Sequence, residues 1–350
     1  MFERILVCGA GAIGGTAGAF LKRAGHPITM VDANRAHVEA IRTRGFTITG
    51  PIAEFSVVCE AYTPEELKGG FDLVLFAVKS YHTQAAIEMV KPHLAPRGVL
   101  VSMQNGLNEF LIKDVIGAER TMGAFVHYGV DYIKPGHIAY ATHGPFVLGE
   151  IDGRISERLK AVHGLIRQFE PDAAMTDNIF GYLWTKLAFG PINFLQALSN
   201  EPTQDFLDDP KYRPMLCRVV TEIAKVAQAE GVRLMSIQGF EPGKFLDGNI
   251  ADMNASISAY ADARRGSKKT HTGVWQDIVL HKRPSETVYQ YGPLFAAAKK
   301  HGIAVPALRA SVDLIEAAET GSRPLSNEMA MEVVSLVHSL AGGPAHQERR

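Results

Sequence analysis

Cysteine is scarce in this sequence, and neither sign of charge is in clear excess. The three cysteines, Cys8, Cys59 and Cys217, lie far apart and form no CxxC pair. They indicate neither a disulfide framework nor a zinc site, and they fit a reducing compartment. The 36 basic and 37 acidic residues leave a formal net charge of -1. Bulk charge therefore gives no sign of a nucleic-acid or membrane-surface partner.

Long hydrophobic runs are also missing. No apolar stretch approaches the roughly 20 residues that a membrane-spanning helix needs. The apolar run at residues 5–10 is too short for the core of a signal peptide, so we expect a cytoplasmic protein. Apolar residues still make up 46% of the 350 residues. At roughly 100–200 residues per domain, this length predicts two domains with substantial cores.

Short apolar runs alternate with amphipathic stretches in the first part of the chain. Strands are predicted at 5–8, 28–32, 71–78 and 98–103. Helices are predicted from the glycines after the first strand to about residue 24, and at 34–44 and 83–94. The run at 71–78 is almost wholly apolar, which is typical of a central parallel strand covered on both faces. The alternation predicts an α/β fold with a doubly wound parallel sheet, the Rossmann arrangement, over residues 1–175.

The later part of the chain has a helical pattern. A last strand at 144–149 and a helix at 156–169 precede helices predicted at 177–198, 208–230, 244–263, 268–281, 285–301, 306–319 and 326–340. Strand signals fade over the same region. We therefore expect an all-helical substrate domain over 176–341 and a flexible tail over 342–350.

The turn after the first strand has the pattern GxGxxG. Its residues are Gly9, Ala10, Gly11, Ala12, Ile13 and Gly14. In dinucleotide-binding folds the first glycine permits a tight turn, the second lets the backbone approach a pyrophosphate, and the third allows close helix–strand packing. The helix that follows offers its N-terminal N–H groups to phosphate. We predict that these six residues bind a dinucleotide; a merely structural glycine turn is the alternative.

An acidic residue, Asp32, stands where the second predicted strand ends. A carboxylate at this position can accept hydrogen bonds from the ribose hydroxyls of NAD, and it repels the 2′-phosphate of NADP. Arg35, three residues later, can partly offset that repulsion. The interpretation favours NAD and leaves NADP open; a solvated charge at a strand end is the alternative.

Two polar residues follow the central strands. Lys79 comes directly after the strand at 71–78, and Asn105 follows the strand at 98–103. Open α/β sheets bind ligands at the carboxyl ends of their strands, so we predict that both residues contact the cofactor. A solvated lysine and a simple Asn-Gly turn are the alternatives.

Lys186 lies among apolar residues on the first long helix predicted after the domain boundary. Burial of its ammonium group would lower the pKa of the lysine toward the range of a general acid. A solvated lysine on an amphipathic helix is the alternative. His271 and His281 do not share a helix face in register, and no HxxxH or HExxH pattern occurs, so no metal site is predicted.

Together these motifs resemble the ketopantoate reductase (2-dehydropantoate 2-reductase) family from Gly9 to about Pro306. The resemblance rests on residues 9–14, 78–79, 104–106, 184–187 and 277–286. It implies a Rossmann domain joined to a helical domain, with the active site in the cleft. It also implies that Lys186 is the general acid, that Glu286 contacts substrate and cofactor, and that Asn105 bridges the two.

The chain departs from the family pattern on the substrate side. Gly190 stands where the family helix has its first asparagine, and Asn193 is nearest to the place of the second. Gly273 aligns with the family serine, with Thr272 beside it. We predict Asn193 and Thr272 as substrate contacts. Many family members carry a basic residue where this chain has Asp32, so neither the pocket nor the NADP preference transfers directly.

Three functions follow as hypotheses. The first is reduction of a 2-oxo acid, ketopantoate or a relative, to a 2-hydroxy acid. The second is an NAD-dependent 2-hydroxy-acid dehydrogenase of the same family with another substrate. The third is a non-catalytic nucleotide sensor, against which the joint presence of Lys186, Asn105 and Glu286 argues. The expected partner is a small acid, with no nucleic acid or membrane, and a homodimer is one option for the assembly.

Overall fold

Two compact units make up the chain, Met1–Leu183 and Trp184–Arg350. The computed structural model describes residues 2–265 and 270–341, so the tail predicted at 342–350 lies outside the described residues, as does the start of the helix predicted at 268–281. The division between the units falls inside a long helix. The functional division predicted at 175/176 precedes that helix and stays a prediction.

The first unit carries two β-sheets and five α-helices. Its strands are β1 (Ile5–Cys8), β2 (Ile28–Val31), β3 (Phe46–Thr49), β4 (Phe55–Val57), β5 (Glu60–Tyr62), β6 (Phe71–Phe76), β7 (Leu94–Ser102), β8 (Thr121–Val126), β9 (Gly129–Lys134), β10 (His137–Thr142), β11 (Phe146–Glu150) and β12 (Ala174–Met175). Its helices are α1 (Ala12–Arg23), α2 (Arg35–Arg44), α3 (Thr83–Val90), α4 (Asn108–Ile116) and α5 (Glu157–Ile166).

The main sheet has the strand order β12-β11-β8-β7-β6-β1-β2-β5. Strand β1 pairs in parallel with β2 on one side and with β6 on the other. The chain therefore moves outward from β1 in both directions, which makes the carboxyl end of β1 the topological switch point of the sheet. The predicted Rossmann architecture is confirmed.

Apolar side chains cover both faces of this sheet. On β1, Ile5 and Val7 belong to one core cluster, whereas Leu6 and Cys8 belong to the other. Successive side chains of a strand point to opposite faces, so the two clusters lie on the two sides of the sheet. The apolar run of β6 is buried in the same two-sided way, as its sequence predicts.

The strand β11 is an exception to the parallel arrangement, because it pairs antiparallel to β8. Between these strands the chain forms the hairpin of β9 and β10 rather than a helical crossover. This hairpin belongs to a second sheet, of order β4-β3-β10-β9. Neither the second sheet nor helix α4 was predicted from the sequence.

The second unit is helical. Helix α6 (Ile179–Ser199) runs across the division, followed by α7 (Thr203–Asp208), α8 (Arg213–Ala229), α9 (Ile250–Ala263), α10 (Gly273–Trp275), α11 (Thr287–Lys300), α12 (Pro306–Glu319) and α13 (Asn327–Ala341). In the described part of this unit the only β-pairing is an isolated bridge between Ile237 and Phe240. Across the described residues, no helix has the length and apolar character needed to cross a membrane.

Three of the predicted helices differ from those observed. The helix predicted at 208–230 is divided, because Pro210 begins a separate 3-10 turn before α8. The helix predicted at 244–263 begins only at Ile250, where the Asn249 side chain accepts N–H bonds as the N-cap. The helix predicted at 268–281 is reduced to α10 and a π-helical turn at Gln276–Leu280.

Candidate active site

The glycine-rich turn connects β1 to α1 at the switch point. Gly9 has φ +88°, and a Cβ atom there would lie 2.8 Å from the carbonyl carbon of Ala77 and from the nitrogen of Val78. A side chain at this position would therefore be strained and would also collide with the end of β6. Gly9 provides the tight turn that the motif predicts.

The third glycine of the motif is at the contact between α1 and the sheet. A Cβ atom on Gly14 would lie 2.9 Å from the Cβ of Ala77 and 3.0 Å from Cγ1 of Val7, and it would also collide with the carbonyl oxygen of Gly9. The helix can approach the strands this closely only because position 14 has no side chain.

The second glycine is different, because beyond its neighbours along the chain no atom lies within 4 Å of a Cβ placed on Gly11. Internal packing therefore does not require a glycine here. Gly11 is also the N-cap of α1, and no side chain caps that helix. The N–H groups of the first helical turn are thus available to a phosphate group, and the residues present fit a dinucleotide pyrophosphate.

Asp32 follows β2 and is half-buried. One of its carboxylate oxygens accepts the backbone N–H of Asn34 at 2.8 Å, which fixes the side chain in an Asx turn. Burial raises the pKa of the Cys8 thiol, and the negative charge of Asp32 raises it further. The negative charge of Asp32 therefore acts on the end of β1. The side chain of Arg35 is exposed.

The loops after β6 and β7 are joined by hydrogen bonds. Ser80 Oγ donates to the carbonyl of Asn105 at 3.0 Å, and Gln104 Nε2 donates to the carbonyl of Val78 at 2.8 Å. Lys79 and Asn105 are both half-buried. Because β6 and β7 are neighbouring parallel strands, these loops and the glycine-rich turn share the carboxyl edge of the sheet.

The structure therefore groups all the predicted cofactor residues of the first unit at one sheet edge. They are residues 9–14 after β1, Asp32 after β2, Lys79 after β6 and Asn105 after β7. Two further side chains touch the glycine-rich turn and were missed. The Tyr128 hydroxyl donates to the carbonyl of Ile13 at 2.7 Å, and His37 contacts the carbonyl of Ala10. No local pattern could identify them, since the partners are distant in sequence.

In the second unit, Lys186 is half-buried on α6 between fully buried neighbours. The adjacent Thr185 side chain donates to the carbonyl of Met235 at 2.8 Å and accepts the N–H of Met235 at 2.9 Å. This pair of bonds fixes the rotation of the helix at the position of the lysine. Lys186 is therefore held on a rigid element.

One turn after Lys186, helix α6 contains a proline. Pro191 has no N–H, so the carbonyl of Leu187, four residues earlier, loses its helical partner. The buried Tyr291 hydroxyl donates to that carbonyl at 2.7 Å. A Cβ atom on Gly190 would collide with this hydroxyl. The glycine at the family asparagine position thus makes room for Tyr291, a reason that only the structure reveals.

We expect the Tyr291→Phe substitution to lower the free energy of unfolding by about 1–3 kcal/mol, because it leaves the buried Leu187 carbonyl without a donor. Tyr289→Phe on the same helix is the control, since Tyr289 is 54% exposed. It should change stability by less than about 0.5 kcal/mol. Urea unfolding of both variants measures the difference; equal effects would contradict this role for Tyr291.

The two predicted substrate contacts lie next to each other. Thr272 Oγ1 donates to the carbonyl of Asn193 at 2.9 Å, and the Thr272 N–H donates to Gln196 Oε1 at 3.2 Å. Thr272 is 3% exposed and is the N-cap of α10, whereas Asn193 is half-buried. The threonine hydroxyl is thus already bonded to the backbone of α6, and it holds the segment that carries Asn193.

Glu286 is buried at the N-terminus of α11, where its carbonyl accepts the N–H of Gln290. The preceding residue anchors this end of the helix, because the Ser285 N–H donates to Glu319 Oε1 at 2.8 Å. Burial raises the pKa of the Glu319 carboxyl.

His271 stacks on Trp275, and the described residues contain no group of three potential metal ligands.

Comparison with known proteins gives a consistent result. Profiles of "Ketopantoate reductase PanE/ApbA" and of its C-terminal part match residues 5–153 and 178–319. The 2-dehydropantoate 2-reductase of Archaeoglobus fulgidus is 25% identical over 325 residues, covering 91% of this chain and 99% of that relative.

Solved structures agree on the fold. A PanE/ApbA family ketopantoate reductase from Ralstonia eutropha JMP134 has a TM-score of 0.78 at 26% identity, with 91% of this chain and 99% of that chain covered. D-mandelate dehydrogenase, in a ternary structure with NADH and anilino(oxo)acetate, has a TM-score of 0.80 at 19% identity with the same coverage, a likeness of fold alone. Since the two profiles match in order along both parts of the chain, this protein belongs to the ketopantoate reductase family.

Proposed function

We propose that this protein is a nicotinamide-dependent oxidoreductase that interconverts a 2-oxo acid and the corresponding 2-hydroxy acid, with ketopantoate or a related compound as substrate. The observation that carries the proposal is the uncapped N-terminus of α1 at the switch point, where Gly11 faces space free of chain atoms. Family membership supports the substrate class.

The glycine-rich turn, residues 9–14, would hold the pyrophosphate of the dinucleotide through backbone N–H groups. Asp32 would accept hydrogen bonds from the adenosine ribose, and Lys79 and Asn105 would contact the cofactor at the adjacent strand ends. When bound, the nicotinamide exchanges the hydride with the substrate carbon.

Lys186 donates a proton to the carbonyl oxygen of the 2-oxo acid during reduction, and it receives that proton during oxidation. Its ammonium group also attracts the substrate carboxylate and stabilises negative charge that develops on the oxygen. Asn105 and Glu286 orient the reacting groups. Asn193 and Thr272 contact the substrate in this proposal.

Asp32 is the basis for proposing that NAD(H) is preferred over NADP(H). We expect Asp32→Asn to narrow the ratio of the two kcat/KM values by about ten- to a hundredfold, the range that one charge–charge repulsion near a surface covers. Asparagine can retain the bond to the Asn34 N–H, so the change isolates the charge. Kinetics with both cofactors measure the ratio.

The matched control for Asp32 is Asp152→Asn, because Asp152 Oδ1 accepts the N–H of Arg154 at 3.1 Å in a similar turn outside the candidate site. This substitution should leave the cofactor ratio unchanged. The assignment of Asp32 is contradicted if the wild-type protein has equal kcat/KM values for the two cofactors or a higher value for NADP(H).

A substrate panel distinguishes the remaining functions. Ketopantoate and other branched and aromatic 2-oxo acids are offered with NADH and NADPH, and the matching 2-hydroxy acids with NAD and NADP, while absorbance of the reduced nicotinamide is followed. Turnover of ketopantoate supports the reductase, and turnover confined to another pair supports the related dehydrogenase. Tight cofactor binding without turnover of any pair would contradict both and favour a sensor.

A further inference from the structure

His37 lies beneath the glycine-rich turn and connects it to the second sheet. The imidazole is in the first turns of α2 and is 1% exposed. Its Nε2 lies 2.8 Å from the carbonyl oxygen of Ala10. On the other side of the ring, the N–H of Gly136, in the turn between β9 and β10, lies 2.9 Å from Nδ1. One buried side chain thus links the turn to the β9–β10 hairpin.

The two contacts determine where the imidazole proton resides. The Gly136 N–H can only donate, so Nδ1 must accept. The proton of the neutral ring is therefore on Nε2, which donates to the carbonyl of Ala10. The Tyr132 hydroxyl, 3.3 Å from Nδ1, lies on the same side of the ring as Gly136. Only this tautomer of His37 can bond both the N–H of Gly136 and the carbonyl of Ala10.

This bond has a consequence for the next residue. In a planar trans peptide the C=O and the following N–H point in opposite directions. Because His37 holds the Ala10 carbonyl on the buried side, the N–H of Gly11 must point away from His37. Gly11 is half-buried, and there is open space where its Cβ atom would be. The orientation of this N–H determines whether it can donate a hydrogen bond to a bound phosphate.

We propose that His37 is a positioning residue for the dinucleotide: it holds the Ala10–Gly11 peptide plane so that the Gly11 N–H is presented to the pyrophosphate. The proposal rests on the function proposed above. His37 itself does not touch the cofactor in this role; it acts through the peptide. Without the His37 donor, the Ala10–Gly11 peptide can rotate. Cofactor binding must then order this peptide, which weakens the affinity.

Three variants separate the two bonds of the ring. His37→Phe keeps the ring volume and loses both bonds. His37→Asn places its amide near the position of Nδ1, so it can reach Gly136 and not Ala10. His37→Gln places a donor near the position of Nε2, within reach of the Ala10 carbonyl. The dissociation constant for NADH is measured by fluorescence titration, and Tm is measured in parallel without cofactor.

We expect the dissociation constant to rise about tenfold in His37→Phe and His37→Asn, the scale of one hydrogen bond. His37→Gln should stay within about threefold of the original protein, because an amide donor replaces the imidazole donor. With an active substrate, KM for NADH should rise while kcat at saturating NADH stays close to the original value. A merely structural role would instead make the effects on binding follow Tm.

The matched control is His163→Phe. His163 Nε2 lies 2.7 Å from the carbonyl of Ala173, so this variant removes the same kind of bond elsewhere in the first unit. Its NADH affinity should be unchanged. Normal affinity in folded His37→Phe or His37→Asn, or an equal loss in His37→Gln, overturns the role of His37. If the original protein binds neither NADH nor NADPH, the proposed function fails and this inference fails with it.

Discussion

Replacing Lys186 by alanine is expected to lower turnover by about 10²- to 10⁴-fold, the usual contribution of a positioned general acid. The side chain is half-buried on a helix whose rotation is fixed next to it by the bonds between Thr185 and Met235. Cofactor affinity should change little, because the glycine-rich turn belongs to the first unit. Steady-state kinetics and NADH titration of the purified variant measure the two quantities.

Lys186→Arg and an exposed lysine provide the controls. Arginine keeps its proton at working pH and is an inefficient acid, so it should not restore turnover fully. Lys225→Ala, at an exposed position on α8 of the same unit, should leave kcat unchanged. A folded Lys186→Ala protein whose turnover stays within a few-fold of the original would show that Lys186 is not the general acid.

The Gly11→Val substitution should abolish cofactor binding while the fold survives. Apart from its neighbours along the chain, a Cβ atom at this position meets no atom within 4 Å, and φ is -66°, so the branch point of the valine side chain introduces neither a clash nor left-handed strain. The branched side chain would instead occupy the space through which a pyrophosphate approaches the backbone. We expect the dissociation constant for NADH to rise more than about a hundredfold, which corresponds to about 2.7 kcal/mol.

Gly164→Val is the control for this substitution. Gly164 lies in α5 of the same unit, and a Cβ there also has no neighbour within 4 Å. Both variants should keep a Tm close to that of the original protein, and only Gly11→Val should lose NADH binding. Normal affinity in folded Gly11→Val would remove the turn from the cofactor site.

The prediction from sequence succeeded where a local pattern carries the physical constraint. The strand–turn–helix of β1 and α1 could be predicted because each glycine stands at a required spacing along one short segment. Strand β6 could be predicted because burial on both faces demands a continuous apolar run. Helix α12 was predicted with its observed bounds, because Pro306 marks its first turn and an apolar period follows.

The second sheet is where this reasoning failed. Strand β9 carries exposed polar residues, and β10 pairs in parallel with β3 across a large separation along the chain. Strand β3 alternates apolar and polar residues, but over only four positions, and β9 has neither an alternating pattern nor a continuous apolar run. Their pairing is selected by partners that are remote in sequence, so local propensity contains little information about them.

Sequence alone was enough to predict the class of this protein: the α/β order, the glycine-rich turn, and the family to which the spacing of Lys79, Asn105 and Lys186 points. These features are local, or they follow one another in a set order along the chain. The reason for a glycine at position 190, and the side chains that hold the glycine-rich turn, become visible only in three dimensions. Tyr291 reaches the Leu187 carbonyl from another helix, and His37 links Ala10 to Gly136. Buried polar groups must be paired wherever the fold places them, and their partners can come from any part of the chain.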